Sequence, residues 1–232
     1  MLKKIQQNSH DKFEELGYPS KKLENWKFSS SKHLKKYNST NLDQNNFSIE
    51  KYSDKYTLCF INGELSIESL NHFIYKDSIT ILDIGELEDY SICSTSSNFE
   101  KEAFFHLGLS TIKTGKYFEF NKGAKFEQPV KIINIYNKSD KDLRISSFNI
   151  FKLNEGNDIS IIEKDINEGA GSFNLNLNKF ICPDNTILNH SMLYDDKTES
   201  NYLGYNYYDL GKSVLLNIDS MNINSTFNKS FI

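Results

Sequence analysis

The side chains able to do chemistry in this 232-residue chain are few and scattered. Cys182 and His190 are the one Cys/His pair close in sequence, and a strand-turn-strand between them would set both near one metal ion. Two ligands do not complete a site, and a buried cysteine ordinarily behaves as a small hydrophobe. The expectation is therefore no metal, with Cys182 and His190 as weak candidates only. Glu163 and Asp165 stand at i and i+2, so on a strand they share a face, where paired carboxylates do acid–base work or bind cations. With no second acidic cluster beside them and Lys164 on the opposite face, they read as a solvated strand edge. Asp195, Asp196 and Glu199 read as a polar loop. The single tryptophan, Trp26, sits between Glu24 and Lys27. These three form a docking surface for a partner, or the indole packs inward with its charged neighbours in water. A lone Trp in a polar frame favours packing. No Gly-rich phosphate loop, G-x-S-x-G elbow or H-E-x-x-H run is present, so no residue is assigned a catalytic role and the chain is not expected to be an enzyme.

Composition narrows the classes further. Three cysteines (Cys59, Cys93, Cys182) are an odd number without a CxxC, which argues against a disulfide framework and a structural zinc site. A reducing cytoplasm is the expected compartment. Net charge is −4, and no basic stripe is evident, so nucleic acid is not an expected partner. No apolar run approaches the ~18 residues of a membrane span, and residues 1–17 are charged and amphipathic, unlike a secretory signal. Only 38% of residues are hydrophobic, yet 17 Phe and 13 Tyr supply enough apolar bulk for a core, so the chain is expected to fold.

The elements that must carry these residues change character along the chain. Residues 1–16 predict a helix with Leu2, Ile5, Phe13 and Leu16 near one face, stopped by Gly17 and Pro19. Residues 31–54 read as loop. Tyr56–Ile61, Asn62-Gly63 and Glu64-Leu65 predict a hairpin with a type I′ turn, and Ile79–Ile84 a short strand. Ser97 and Glu100 have capping-box spacing, so a helix is expected over Ser97–Leu107 with Gly108 as its left-handed C-cap. From Ser110 onward only strands and turns are expected. A Gly or Asn turn before an apolar strand recurs at Gly123, Gly156, Asn185 and Gly211, with steps of 33, 29 and 26 residues. Phe173–Asn178 alternates strictly, predicting one buried and one wet face. Loose periods of this length are what stacked solenoid coils produce, although a sandwich also gives alternating strands. The fold class expected is mainly β with a small α+β N-terminal region, residues 1–96. A right-handed parallel β-helix, apparently truncated, follows over residues 97–232.

One segment carries a resemblance to a known family. Pro19, Ser20, Lys21, Lys22, Glu24, Trp26, Lys27, Phe28 and Ser29 stand in the register of a Pro-Ser/Thr-basic-basic-x-Glu-x-Trp-Lys-aromatic-Ser/Thr motif. This resembles the entry motif of the SufB/SufD family, scaffold components of the SUF iron–sulfur cluster assembly machine. Ala103, Gly108 and Ile112, then Pro129-Val130-Lys131-Ile132, resemble the family's entry into its β-helix. Arg144, Ile161-Ile162-Glu163, Phe173-Asn174, Asn185 and Leu188-Asn189-His190 follow in the order of D-type chains. No cluster-type cysteine pattern appears, which favours the D-type component over the B-type. The resemblance implies a SufC-type ATPase and a SufB-type scaffold as partners. It places an iron–sulfur cluster, and a flavin in some assemblies, with the complex and not with this chain. The family pattern runs on beyond the position of Ile232 with further coils and a helical segment that carry its docking and cluster-building residues, so none of those roles transfers. Pro19, Glu24, Trp26 and Lys27 are the motif and interface candidates. An open β-helix end would allow self-association. The alternatives are a carbohydrate-active or carbohydrate-binding β-helix, with carboxylates converging in an aromatic groove, and a non-functional fragment.

Overall fold

The computed structural model describes residues 2–39, 47–93, 99–112, 115–137, 142–168, 171–195, 200–223 and 227–232. The chain is a parallel β-solenoid of about four turns with a small helical region at its N-terminal side. Its first strands are short: β1 (Asn38–Ser39), β2 (Thr57–Ile61), β3 (Glu64–Leu65) and β4 (Ile79–Asp83). Next come β5 (Lys116–Phe120), β6 (Val130–Tyr136), β7 (Leu143–Lys152), β8 (Asp158–Asn167) and β9 (Phe173–Cys182). The last are β10 (Ile187–Asp195), β11 (Asn201–Leu210), β12 (Leu215–Ile223) and β13 (Phe227–Phe231). From β5 onward successive strands go alternately to two sheets. One sheet has the order β13-β11-β9-β7-β5-β4, with β1 also on β7; the other has the order β12-β10-β8-β6-β2-β3. Strands from both sides of residue 96 therefore share the two sheets.

Register shows why the sequence period is loose. Tyr117 pairs with Ile150, Arg144 with Phe173, Phe173 with Asn201, and Asn201 with Phe227, steps of 33, 29, 28 and 26 residues. Each coil ends in a turn whose tight residue is left-handed: Gly123 (φ +71°), Gly156 (φ +79°), Asn185 (φ +59°) and Ser213 (φ +56°). The fourth position is thus Ser213 and not the expected Gly211. Gly211 is needed for close approach, because a Cβ there would fall 2.5 Å from Asp184 Oδ1 and 2.7 Å from Asp184 N in the turn before it.

Helix α1 (Leu2–Leu16) ends at Gly17 with φ +64°, and Phe13 is buried with Leu2, Ile5 and Leu16 packed on the same core. The hairpin of β2 and β3 turns on Asn62 (φ +50°) and Gly63 (φ +90°), the signs a type I′ turn requires. Helix α2 (Ile67–His72) follows it, with the Ser66 hydroxyl accepting from the Ser69 amide. Within 31–54, Lys32–Lys36 form a 3-10 turn and β1 joins β7, so that stretch is not all loop.

Helix α3 (Ala103–Ser110) starts later than expected, on Glu102 as N-cap; Ser97 lies outside the described residues. Gly108 is inside the helix and does not cap it. A Cβ at Gly108 would meet Leu177 Cδ1 at 2.7 Å, so glycine lets the helix lie close to β9. Helix α3 covers the outer face of the first sheet, with Phe104, Phe105 and Leu107 sharing a core with Phe148, Phe173, Leu175 and Leu177, and α1 packs on α3. Each such side chain removed from water contributes about 1.5–3 kcal/mol.

This cover corrects the expectation for Phe173–Asn178. Neither face of β9 is wet: Phe173, Leu175 and Leu177 point to the helices, while Asn174, Asn176 and Asn178 point between the sheets and are equally buried. Further along the interior the same registers stack rings. Phe118, Phe151, Phe180 and Tyr208 form a ladder with centroids 4.9, 4.8 and 4.9 Å apart and planes within 13° of parallel.

Candidate functional site in the solenoid interior

The space between the sheets is apolar at one end and polar at the other. On β8, residues 159, 161, 163 and 165 face inward, so Ile159 and Ile161 join the apolar part and Glu163 and Asp165 continue the row into the polar part. Their relative exposures are 4% and 7%, which overturns the expectation of a solvated strand edge. The i, i+2 spacing puts them on one face as anticipated, but that face is the inner one. Burial is tolerable because the neighbouring registers supply donors.

Those donors are asparagines and hydroxyls from both sheets. Asn134 Nδ2 donates to Asp165 Oδ1 at 2.7 Å and to Glu163 Oε1 at 3.3 Å. Asn176 Nδ2 reaches both Asp165 oxygens at 3.3 and 3.4 Å, and Tyr136 OH donates to Asp165 Oδ1 at 3.4 Å. Asn178 Nδ2 meets the two Glu163 oxygens at 3.2 and 3.1 Å and Asn206 Oδ1 at 3.0 Å. His190, wholly buried, places Nε2 3.2 Å from Glu163 Oε2 and Nδ1 2.7 Å from Tyr208 OH. The asparagines on alternate positions of β9 are therefore the complement of the carboxylates on β8.

Electrostatics follow from enclosure. Burial, then the charge of Glu163, holds the Asp165 carboxyl well above the usual carboxylate range. Burial likewise pushes the phenols of Tyr136 and Tyr202 far up. A neutral Asp165 can donate as well as accept. It lines a small recess of about 20 Å³, room for one water, with Tyr136, Tyr194, Tyr202, Asn174 and Ser200. What this arrangement does chemically is fix the pairing of two sheets through charge-assisted hydrogen bonds.

A pH experiment tests this. The folded state keeps a proton on Asp165 that the unfolded chain releases above about pH 4. The stability linked to that proton is complete below this pH and declines as pH rises toward the folded value, by at most about 1.4 kcal/mol per unit. Asp165→Asn keeps the Oδ1 acceptor for Asn134 and has no proton to lose. Urea unfolding from pH 4 to 8 is expected to show wild type weakening relative to D165N as pH rises; parallel curves would mean that Asp165 titrates normally.

The other anticipated positions lie elsewhere. Cys182 is in the apolar cluster with Phe180 and Leu188, its thiol pushed up to about 12 by burial. Both ring nitrogens of His190 are taken up, by Glu163 and by Tyr208. Cys59 and Cys93 are also buried, with thiols raised to about 12 and about 11. A protonated thiol in an apolar wall does not suit cluster ligation. Among the described residues no group of three or more His, Cys, Asp or Glu is placed to hold a metal ion. Asp195 lines the mouth of the recess, while Asp196 and Glu199 lie outside the described residues.

Pro19 and Trp26 are buried and Glu24 and Lys27 exposed. The Trp26 indole lies 5.2 Å from the Phe104 ring of α3 and 6.3 Å from Phe227 of β13, with Lys229 Nζ 5.3 Å over its face. Asn25 Nδ2 donates to Glu102 Oε1 at 2.6 Å. The motif thus joins the helical layer to the far coil. Sequence reasoning missed the interior roles of Asn134, Asn176, Asn178 and Tyr136; the asparagines at every second position of β9 were the available signal. No helix of the described residues is long and apolar enough to cross a membrane. Comparison with protein-family models and with curated proteins finds no match to this chain.

Proposed function

We propose that the chain is a SufD-like scaffold component of iron–sulfur cluster assembly, working through protein contacts and not by catalysis. The observation that carries this reading is the joining of the Pro19–Ser29 motif to a parallel β-solenoid, with Trp26 wedged between α3 and β13. The interior supports it too: Glu163 and His190 are engaged with each other, with asparagines and with Tyr208, an arrangement that holds coils together. The cluster is cargo of the assembly in this reading, and the three buried thiols fit that division of labour.

A carbohydrate-binding β-helix is the second reading: Tyr136, Tyr194 and Tyr202 gather beside Asp165, although the space of about 20 Å³ between them takes a water and not a sugar ring. One experiment separates the two. The tagged chain is used to capture partners from an anaerobic lysate of its source, with identification by mass spectrometry, and the same preparation is laid on a glycan array. Recovery of a SufC-type ATPase or a SufB-type scaffold is the expected result. Recovery of neither, together with specific glycan binding, moves the function to the second reading.

A further inference from the structure

Around the solenoid several lysines meet acids: Lys51 with Glu168, Lys122 with Glu155, Lys131 with Asp54 and Lys152 with Glu119. Residues 18–37 differ. They hold Lys21, Lys22, Lys27, Lys32, Lys35 and Lys36 against one acid, Glu24, in a chain whose net charge is −4. Of these, Lys36 pairs with Asp142 at 2.8 Å. Among the described residues Lys21, Lys22, Lys27, Lys32 and Lys35 have no ion-pair partner, so a positive field stands uncompensated over one part of the surface.

The same segment exposes apolar surface at defined points. Phe28 is 92% exposed and Leu23 is 49% exposed. Phe28 is not on a slack loop. Lys27 N donates to Glu24 O at 3.2 Å and Ser29 N to Trp26 O at 3.1 Å, and the Trp26 side chain is fixed in the core two residues away. The backbone that carries the ring is thus held in place, which lowers the entropy lost on binding. Nearby, Lys21, Lys32 and Lys35 with Ser20, Ser29 and Ser30 line an open groove of about 1010 Å³, counting the solvent at its mouth.

We propose that residues 18–37 are a docking surface for an acidic protein segment, which lays its carboxylates along the lysine groove and sets its own apolar side chains against the Phe28 ring. A preset aromatic ringed by charges is the pattern of a binding hot spot. A concave groove suits a protruding chain better than a flat bilayer. A single exposed ring is less than the row of aromatics on which single-stranded nucleic acid stacks. The inference rests on the scaffold reading, to which it adds a contact surface and the charge of the partner.

The test measures binding of the full chain to three probes by fluorescence anisotropy or co-sedimentation. They are a labelled peptide of repeating Glu-Glu-Leu, phosphatidylcholine vesicles containing phosphatidylserine, and oligothymidylate. Saturable peptide binding is expected, weakened about tenfold or more by Phe28→Ala and by the pair Lys32→Glu and Lys35→Glu. All three positions are exposed, so circular dichroism should be unchanged. Peptide binding indifferent to Phe28 overturns the proposal, as does tighter binding to vesicles or to oligothymidylate. The scaffold reading is scored separately, by the wild-type lysate capture. Recovery of partners there with no Phe28 dependence here removes this surface and leaves that reading standing.

Discussion

Replacing Glu163 by alanine is expected to destabilise the protein by about 1–3 kcal/mol, the cost of leaving a buried polar group without its hydrogen-bond partner. Asn178 Nδ2 donates to this carboxylate at 3.1 and 3.2 Å and Asn134 Nδ2 at 3.3 Å, and His190 Nε2 lies 3.2 Å from it. Alanine leaves Asn134 with Asp165 and Asn178 with Asn206, but takes the partner from His190 Nε2 in an interior where the histidine is wholly buried. An orphaned polar group there costs about 1–3 kcal/mol. The charge of Glu163 is also one cause of the raised proton affinity of Asp165, so its removal should make Asp165 easier to ionise and flatten the pH dependence described above. The measurement is a urea unfolding series for wild type and E163A at two pH values. A loss below about 1 kcal/mol, with the m-value unchanged, would mean that water or repacking satisfies His190, and that the network does not hold the coils together.

The second large effect belongs to the ring ladder. Phe180 lies between Phe151 at 4.8 Å and Tyr208 at 4.9 Å, both nearly parallel, and its centroid is 4.6 Å from that of His190. Phe180→Ala removes a buried ring, a loss of about 3–5 kcal/mol in a core that cannot collapse fully. It also breaks the stack in the middle, and each ring pair is worth about 0.5–1.5 kcal/mol beyond area. Phe118, stacked on Phe151 at the other end of the ladder, has one parallel neighbour. Calorimetry of F180A and F118A should therefore show the larger drop in melting temperature for F180A. Equal drops would indicate that burial alone, and not stacking between coils, sets the cost.

Much of the architecture could be read before any coordinates. Helix α1 with its Gly17 stop, the Asn62-Gly63 hairpin and the succession of strands after Ser110 all rest on local rules: apolar spacing, positive φ, and turn residues at short range. The solenoid itself was legible because its turn residues recur. Two readings failed for one physical reason. Phe173–Asn178 and Glu163/Asp165 were each sorted into an inner apolar side and an outer polar side. In this fold β9 has helices behind it and a second sheet in front, so polarity does not mark the way out. The carboxylates on β8 and the asparagines on β9 are complementary only across the interior, and no window of a single strand contains both. Likewise Gly108 has the residue type of a cap, but its reason is Leu177, some seventy residues away in sequence and 2.7 Å away in space. Trp26 was easier: a lone indole in a polar frame points to packing, though its partner Phe227 could not be named.

The register steps, falling from 33 to 26 residues along the first sheet, have a consequence for how such a chain tolerates change. The strands keep their pairing while the connections between them take up the difference, so the corners behave as expansion joints. Residues can be gained or lost at a corner without altering which side chains look inward on the next straight. One residue inserted in a straight acts instead like a local frameshift, exchanging the asparagine row for the leucine row from that point to the next corner. Length is thus free to drift in this molecule where phase is not.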